Sequence, residues 1–217
     1  MNKGFIFDLD GVIVDTAKYH YIAWKKLADE LGFDFTIEHN ELLKGVSRVR
    51  SLEILLETGK ITKSDAEKTI LATQKNELYL TLIEELTSDD LLPGAKVFIE
   101  NTKDKAIKIA LGSASKNAAY ILNKLGVANL FDARIDGTMV SQAKPDPEVF
   151  NKAAELIGLL PSNCLVFEDA QAGIEAAKNA GMKCIAIGDP SLLKGADLTV
   201  SGLDQITVSE ALTILNN

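Results

Sequence analysis

Four short apolar runs, at residues 107–111, 133–135, 165–167 and 185–187, alternate with helical patterns at 95–103, 116–125, 147–158 and 171–180. Such alternation admits few folds, because adjacent parallel strands need a crossover and a helix supplies it. A fifth run, residues 4–7, has the same bulky apolar character and belongs in the same sheet, although residues 8–106 separate it from the next strand. That gap reads as helix. Segments 16–31, 47–57 and 64–86 carry apolar residues at three- and four-residue spacing. In the last of them the expected stripe is Ile70, Gln74, Leu78, Leu82 and Leu86, with one polar interruption. The expected fold class is therefore α/β, a Rossmann-like parallel sheet with an inserted helical unit. Residues 1–14 and 91–217 would form the core and residues 15–90 the insert, with Leu92-Pro93-Gly94 marking the return to the sheet.

The chain's 217 residues suffice for one large domain, or for a domain carrying a smaller insert. Its net charge of −8, with acids and bases mixed along the sequence, speaks against nucleic acid or an anionic membrane as partner. An anionic substrate would then need a few placed lysines or arginines, or a bound cation. No apolar run approaches the ~20 residues of a membrane helix, and the first residues lack a secretory pattern, so the expected location is the cytoplasm. Cys164 and Cys184 each open an apolar run and are expected to be buried thiols.

Open parallel sheets bind ligands outside the carboxyl ends of their strands, which directs attention to the polar residues after each run. After residues 5–7 stands Asp8-Leu9-Asp10-Gly11. Two acids so close resist ionising together unless a divalent cation or paired positive charge offsets them. The same tetrapeptide also suits an Asx-rich turn ending a strand. After 107–111 come Gly112-Ser113-Ala114-Ser115-Lys116-Asn117, whose hydroxyls and N–H groups suit a phosphate at a helix start, or plain capping. Lys144-Pro145-Asp146-Pro147 would present Lys144 from a stiff turn, either to a phosphoryl oxygen or to solvent. Residues 165–167 deliver Glu168-Asp169, a second acid pair in which Asp169 could equally cap the next helix. A parallel sheet would gather all four motifs on one edge.

In order and spacing, Asp8-Leu9-Asp10-Gly11, Ser113, Lys144-Pro145 and Glu168-Asp169 resemble the four motifs of the haloacid dehalogenase (HAD) superfamily of phosphotransferases. The likeness spans nearly the whole chain and implies the HAD fold, with the insert as its helical cap. It further implies that Asp8 is the nucleophile and Asp10 the general acid and base. Ser113 and Lys144 would position the transferring group. Magnesium would be held by Asp8, Glu168 and Asp169 and by the backbone carbonyl of Asp10.

Within the insert, Asp15-Thr16-Ala17-Lys18-Tyr19-His20, Trp24 and Leu43-Lys44-Gly45-Val46-Ser47-Arg48 are similar to the hexose-phosphate mutases of that superfamily. So are Lys75-Asn76 and, in the core, Ser113-Ala114-Ser115-Lys116-Asn117; Arg50 departs from the acidic residue expected there. The likeness implies interconversion of beta-D-glucose 1-phosphate and glucose 6-phosphate, with glucose 1,6-bisphosphate as intermediate and activator. Substrate contacts would come from Trp24, Gly45, Val46, Ser47, Arg48 and Lys75 on the insert. Ser113, Ala114, Ser115, Lys116, Asn117 and Lys144 would answer them from the core, Arg48 with Ser115, Lys116 and Asn117 gripping the nonreacting phosphate. Thr16 and His20 are expected to assist catalysis, His20 by meeting Asp10 on closure. His39 has no motif around it. The expected partners are small sugar phosphates and the expected state a monomer. A sugar-phosphate phosphatase of the same superfamily and a noncatalytic binding protein are the alternatives.

Overall fold

A computed structural model describes residues 2–217. Among these, six strands form one all-parallel sheet: β1 (Gly4–Phe7), β2 (Lys108–Gly112), β3 (Ala133–Ile135), β4 (Cys164–Glu168), β5 (Lys183–Ile187) and β6 (Leu198–Val200). Their order is β3-β2-β1-β4-β5-β6, so the first strand lies at the centre, with Phe7 opposite both Leu111 and Phe167. Four helices, α1 (Ala17–Glu30), α2 (Ile37–Glu41), α3 (Arg48–Thr58) and α4 (Asp65–Leu82), separate β1 from the rest of the core. The remaining helices are α5 (Ala95–Asp104), α6 (Ala118–Lys124), α7 (Glu148–Leu156), α8 (Gln171–Asn179) and α9 (Val208–Asn216).

Alternation along each strand sorts the core into two layers. Phe5, Phe7, Ile109, Leu111, Leu165, Phe167, Ile185 and Ile187 face α5 and α9, while Ile6, Ala110, Val166 and Ala186 face α7 and α8. The first layer is aromatic: Phe7 stacks on Phe167 with centroids 4.7 Å apart, and Phe98 of α5 completes the packing. Each such ring contributes roughly 1.5–3 kcal/mol by leaving water. Both cysteines are free and buried, as expected.

The insert carries its own apolar cluster, built on Trp24, Leu27, Phe35, Leu52 and Leu55. Its two connections to the core run side by side, for Val14 bridges Leu91 and the Leu92 N–H donates to Ile13 O at 2.9 Å. No helix of the described residues is long and apolar enough to cross a membrane.

Several expectations are corrected. Helix α4 ends at Leu82 rather than 86, and its buried residues are Lys75 and Tyr79, followed by buried Ile83. The inward face is thus one residue out of step with the predicted stripe, leaving Ile70 and Gln74 exposed. Helix α6 starts at Ala118, not 116, because residues 113–117 are used in turns. Strand β6 and helices α2 and α9 lie outside the predicted elements.

Candidate active site

The carboxyl ends of β1, β2 and β4 meet at one cavity of about 110 Å³, roofed by α1, α4 and the loop after α2. Asp8 ends the central strand, and its backbone N–H still belongs to the sheet, donating to Phe167 O at 2.9 Å. Lys144, buried beside it, donates to Asp8 Oδ1 at 2.5 Å and to Glu168 Oε2 at 2.8 Å. Burial works against the Lys144 ammonium, but the two carboxylates outweigh that penalty and hold its pKa above the ordinary lysine value. Burial raises the Glu168 pKa as well, to about 7 in spite of Lys144, a shift that in a carboxyl disfavours the charged form.

Asp169 follows Glu168 and closes on Asp8. Carboxylate oxygens of Asp8, Glu168 and Asp169 lie within 4.8 Å of one another. Burial, and then the charges of Glu168 and Asp8, drive the Asp169 pKa well above the usual carboxylate range. One lysine cannot offset three such acids, so the donor set suits a small divalent cation that prefers oxygen ligands. Gly11 makes the approach possible. It has φ +74°, and a Cβ there would stand 2.0 Å from Asp169 Oδ2. Gly11→Ala is expected to lose roughly 1–2 kcal/mol from the backbone alone. Displacement of Asp169 adds to that loss. Urea unfolding checks it, and an unchanged midpoint would remove the argument.

Asp10 is held differently. Thr16 precedes α1, where a threonine ordinarily caps the helix, yet no side-chain cap is formed. Its hydroxyl instead donates to Asp10 Oδ1. Burial, reinforced by the charge of Asp8, raises the Asp10 pKa to about 7. A carboxyl poised there can both give and take a proton near neutrality.

His20, one turn beyond Thr16, meets Lys75 rather than Asp10: Lys75 Nζ lies 2.7 Å from His20 Nδ1. Burial and the neighbouring Lys75 and Arg48 push the His20 pKa well down, and burial and Arg48 likewise push that of Lys75 well below the usual lysine value, so the pair is held together with little charge on the ring. Tyr79, one turn after Lys75, stacks on His20 at 4.0 Å. Lys75 Nζ also sits over the Trp24 ring at 4.4 Å, a favourable place for a buried cation. Tyr79 was not expected from sequence; its four-residue step from Lys75 was the available signal.

Gly45 and Val46 line the cavity from the loop before α3 and Arg48 from the first residue of that helix, while Ser47, expected to contact substrate, is absent from the lining and caps α3 by accepting from Arg50 N. Arg50 itself turns to the surface and pairs with Glu53 and Glu57, so its departure from an acidic residue costs the cavity nothing. Across the cavity, Ser113 Oγ accepts from Ser115 N at 3.1 Å and Ser115 Oγ from Asn117 N at 3.2 Å. Ala114, Lys116 and Asn117 complete that wall, and Asn117 Nδ2 donates to Asn76 Oδ1 on α4 at 3.0 Å. Asp8, Asp10 and Asp169 thus line the cavity from the core side, and Lys44, Arg48 and Lys116 bring basic side chains to the same lining, with Lys75 an amine that burial and Arg48 push well below the usual lysine pKa. His39 lies apart and forms a capping box with Thr36.

Residues 2–181 match the family of haloacid dehalogenase-like hydrolases. A beta-phosphoglucomutase of Bacillus subtilis is 45% identical over 208 residues, covering 95% of this chain and 92% of that protein. A phosphorylated carbohydrates phosphatase of Thermotoga maritima is 32% identical over 203 residues, or 92% and 91% of the two chains. The crystal structure of a beta-phosphoglucomutase from Clostridium difficile superposes with TM-score 0.96 at 44% identity, covering 100% of this chain and 98% of that one.

Proposed function

The chain belongs to the haloacid dehalogenase-like hydrolase family, and from that premise we propose that it is a beta-phosphoglucomutase. It interconverts beta-D-glucose 1-phosphate and glucose 6-phosphate through glucose 1,6-bisphosphate. The observation that supports this reading is that Arg48 on the insert lines the same cavity as Ser115, Lys116, Asn117 and Asp8, which supplies donors for a second phosphate beside the reacting one. A mutase must hold one phosphate while exchanging the other, whereas a phosphatase needs only the reacting site. Arg48, with its planar fork, suits phosphate oxygens better than a point charge would.

In one half-reaction an Asp8 carboxylate oxygen attacks one phosphorus of glucose 1,6-bisphosphate, the bond to that sugar oxygen breaks, and Asp10 gives the oxygen its proton, leaving a glucose monophosphate and the aspartyl phosphate. In the other, the free hydroxyl of a glucose monophosphate, O6 when beta-glucose 1-phosphate is bound, attacks the aspartyl phosphate, Asp10 takes its proton, Asp8 is restored and the bisphosphate forms again. Ser113 and Lys144 hold the phosphoryl oxygens during both. Asp8, Glu168, Asp169 and the Asp10 carbonyl would hold magnesium, which when bound supplies positive charge against the transferring group. Thr16 fixes the Asp10 carboxyl, while His20 and Lys75 stiffen the roof above it. The insert, residues 15–90, closes about the paired connections at 13–14 and 91–92, and closure keeps water from the phosphoenzyme. On this reading the protein is a cytoplasmic monomer that acts on small sugar phosphates, as the related sugar-phosphate enzymes suggest for the substrate class, and the charge of −8 speaks against a nucleic-acid partner.

Phosphorus NMR with beta-glucose 1-phosphate, Mg2+ and a trace of glucose 1,6-bisphosphate should show glucose 6-phosphate accumulating with little inorganic phosphate. Stoichiometric phosphate without glucose 6-phosphate would establish the phosphatase instead.

A further inference from the structure

Two buried side-chain atoms lack a hydrogen-bond partner among the described residues, Asn40 Oδ1 and Tyr79 Oη. Of the two residues only Asn40 lines the cavity, whose lining also includes Trp24, Leu43, Ser51 and Lys75. Its backbone is already satisfied: the N–H donates to Thr36 O at 3.1 Å and the carbonyl accepts from Leu43 N at 3.0 Å. The side chain therefore serves neither cap nor turn. Asparagine is also a weaker helix former than alanine, and a buried acceptor without a donor is a cost. Both are explained by a donor that arrives with the ligand.

The donor's chemistry follows from the cavity. Of the residues that line it, Lys44, Arg48 and Lys116 suit phosphate, the carboxylates suit phosphoryl transfer and metal, and Lys75 is engaged by His20. A neutral amide is matched to neither. It offers an acceptor and two N–H donors, which suits a hydroxyl, a group that donates and accepts. We propose that Asn40 is a specificity-determining residue that hydrogen-bonds one ring hydroxyl of the bound sugar phosphate. The inference rests on the sugar-phosphate reading above, and either orientation of the amide satisfies it.

The test compares wild type with Asn40→Ala on beta-glucose 1-phosphate and its 2-, 3- and 4-deoxy analogues. Wild type should lose on the order of ten- to a hundredfold in kcat/KM on the analogue lacking the partner hydroxyl. Asn40→Ala should lose the same factor on the parent sugar and nothing further on that analogue. Equal losses on all four substrates would mark a merely structural role and overturn the proposal. So would a wild type that accepts all three analogues within about threefold, a result that needs no variant. A wild type that makes no glucose 6-phosphate fails the mutase reading alone, and phosphate release from the same series then decides the Asn40 contact.

Discussion

Asp8→Asn is expected to lower phosphoryl transfer by on the order of 10⁴-fold or more, because an amide cannot form the covalent intermediate and no other side chain replaces it. The fold should not suffer. The asparagine carbonyl can still accept from Lys144, which now lies 2.5 Å from Asp8 Oδ1. Loss of one negative charge also relieves the buried acids, since Asp8 raises the pKa of Asp10, Glu168 and Asp169 alike. Substrate binding should be largely kept, because Arg48, Ser115, Lys116 and Asn117, which line the same cavity, are untouched. Single-turnover assays beside urea unfolding separate these effects. Turnover within tenfold of wild type would remove Asp8 from its role, and a large fall in stability would mean that its carboxylate is structural.

Much of this arrangement was legible because each motif follows a strand, and a parallel sheet has only one carboxyl edge on which to place them. The strands at 4–7 and 133–135 have the predicted bounds, since short apolar runs between turn residues leave little latitude. Strand β6 was not legible: three half-buried residues on a sheet edge show no alternation. Helix α9 had a usable signal in its capping box, Thr207 with Glu210, ahead of buried Val208, Ala211 and Leu215. The failure in α4 has another origin. A hydrophobic stripe assumes that the inward face is apolar, whereas this helix turns Lys75 and Tyr79 inward to make the roof of a site. Apolar spacing alone therefore set the stripe at 70, 74, 78 and 82, one residue away from the inward face at 75, 79 and 83. Asn40 escaped notice for the same reason, as a polar side chain buried for a ligand rather than for the fold.

Lys144→Met tests how that cluster is balanced. The substitution keeps much of the side chain's bulk against Phe150, whose ring the ammonium overlies at 4.8 Å, but removes the charge between Asp8 and Glu168. Two buried carboxylates lose their shared donor, so without metal the expected loss is about 3–5 kcal/mol. Most of that cost belongs to the acids left behind rather than to the ion pair itself. Adding Glu168→Gln to Lys144→Met should therefore recover a substantial part of the stability, although Glu168→Gln alone, which leaves Lys144 short of one partner, should be destabilising. Urea unfolding of the two single variants and the double variant in EDTA measures the coupling. Simple additivity would mean that Lys144 stabilises by packing alone. Strong coupling would instead show that Asp8 and Glu168 are tolerated together in the core through the Lys144 ammonium between them.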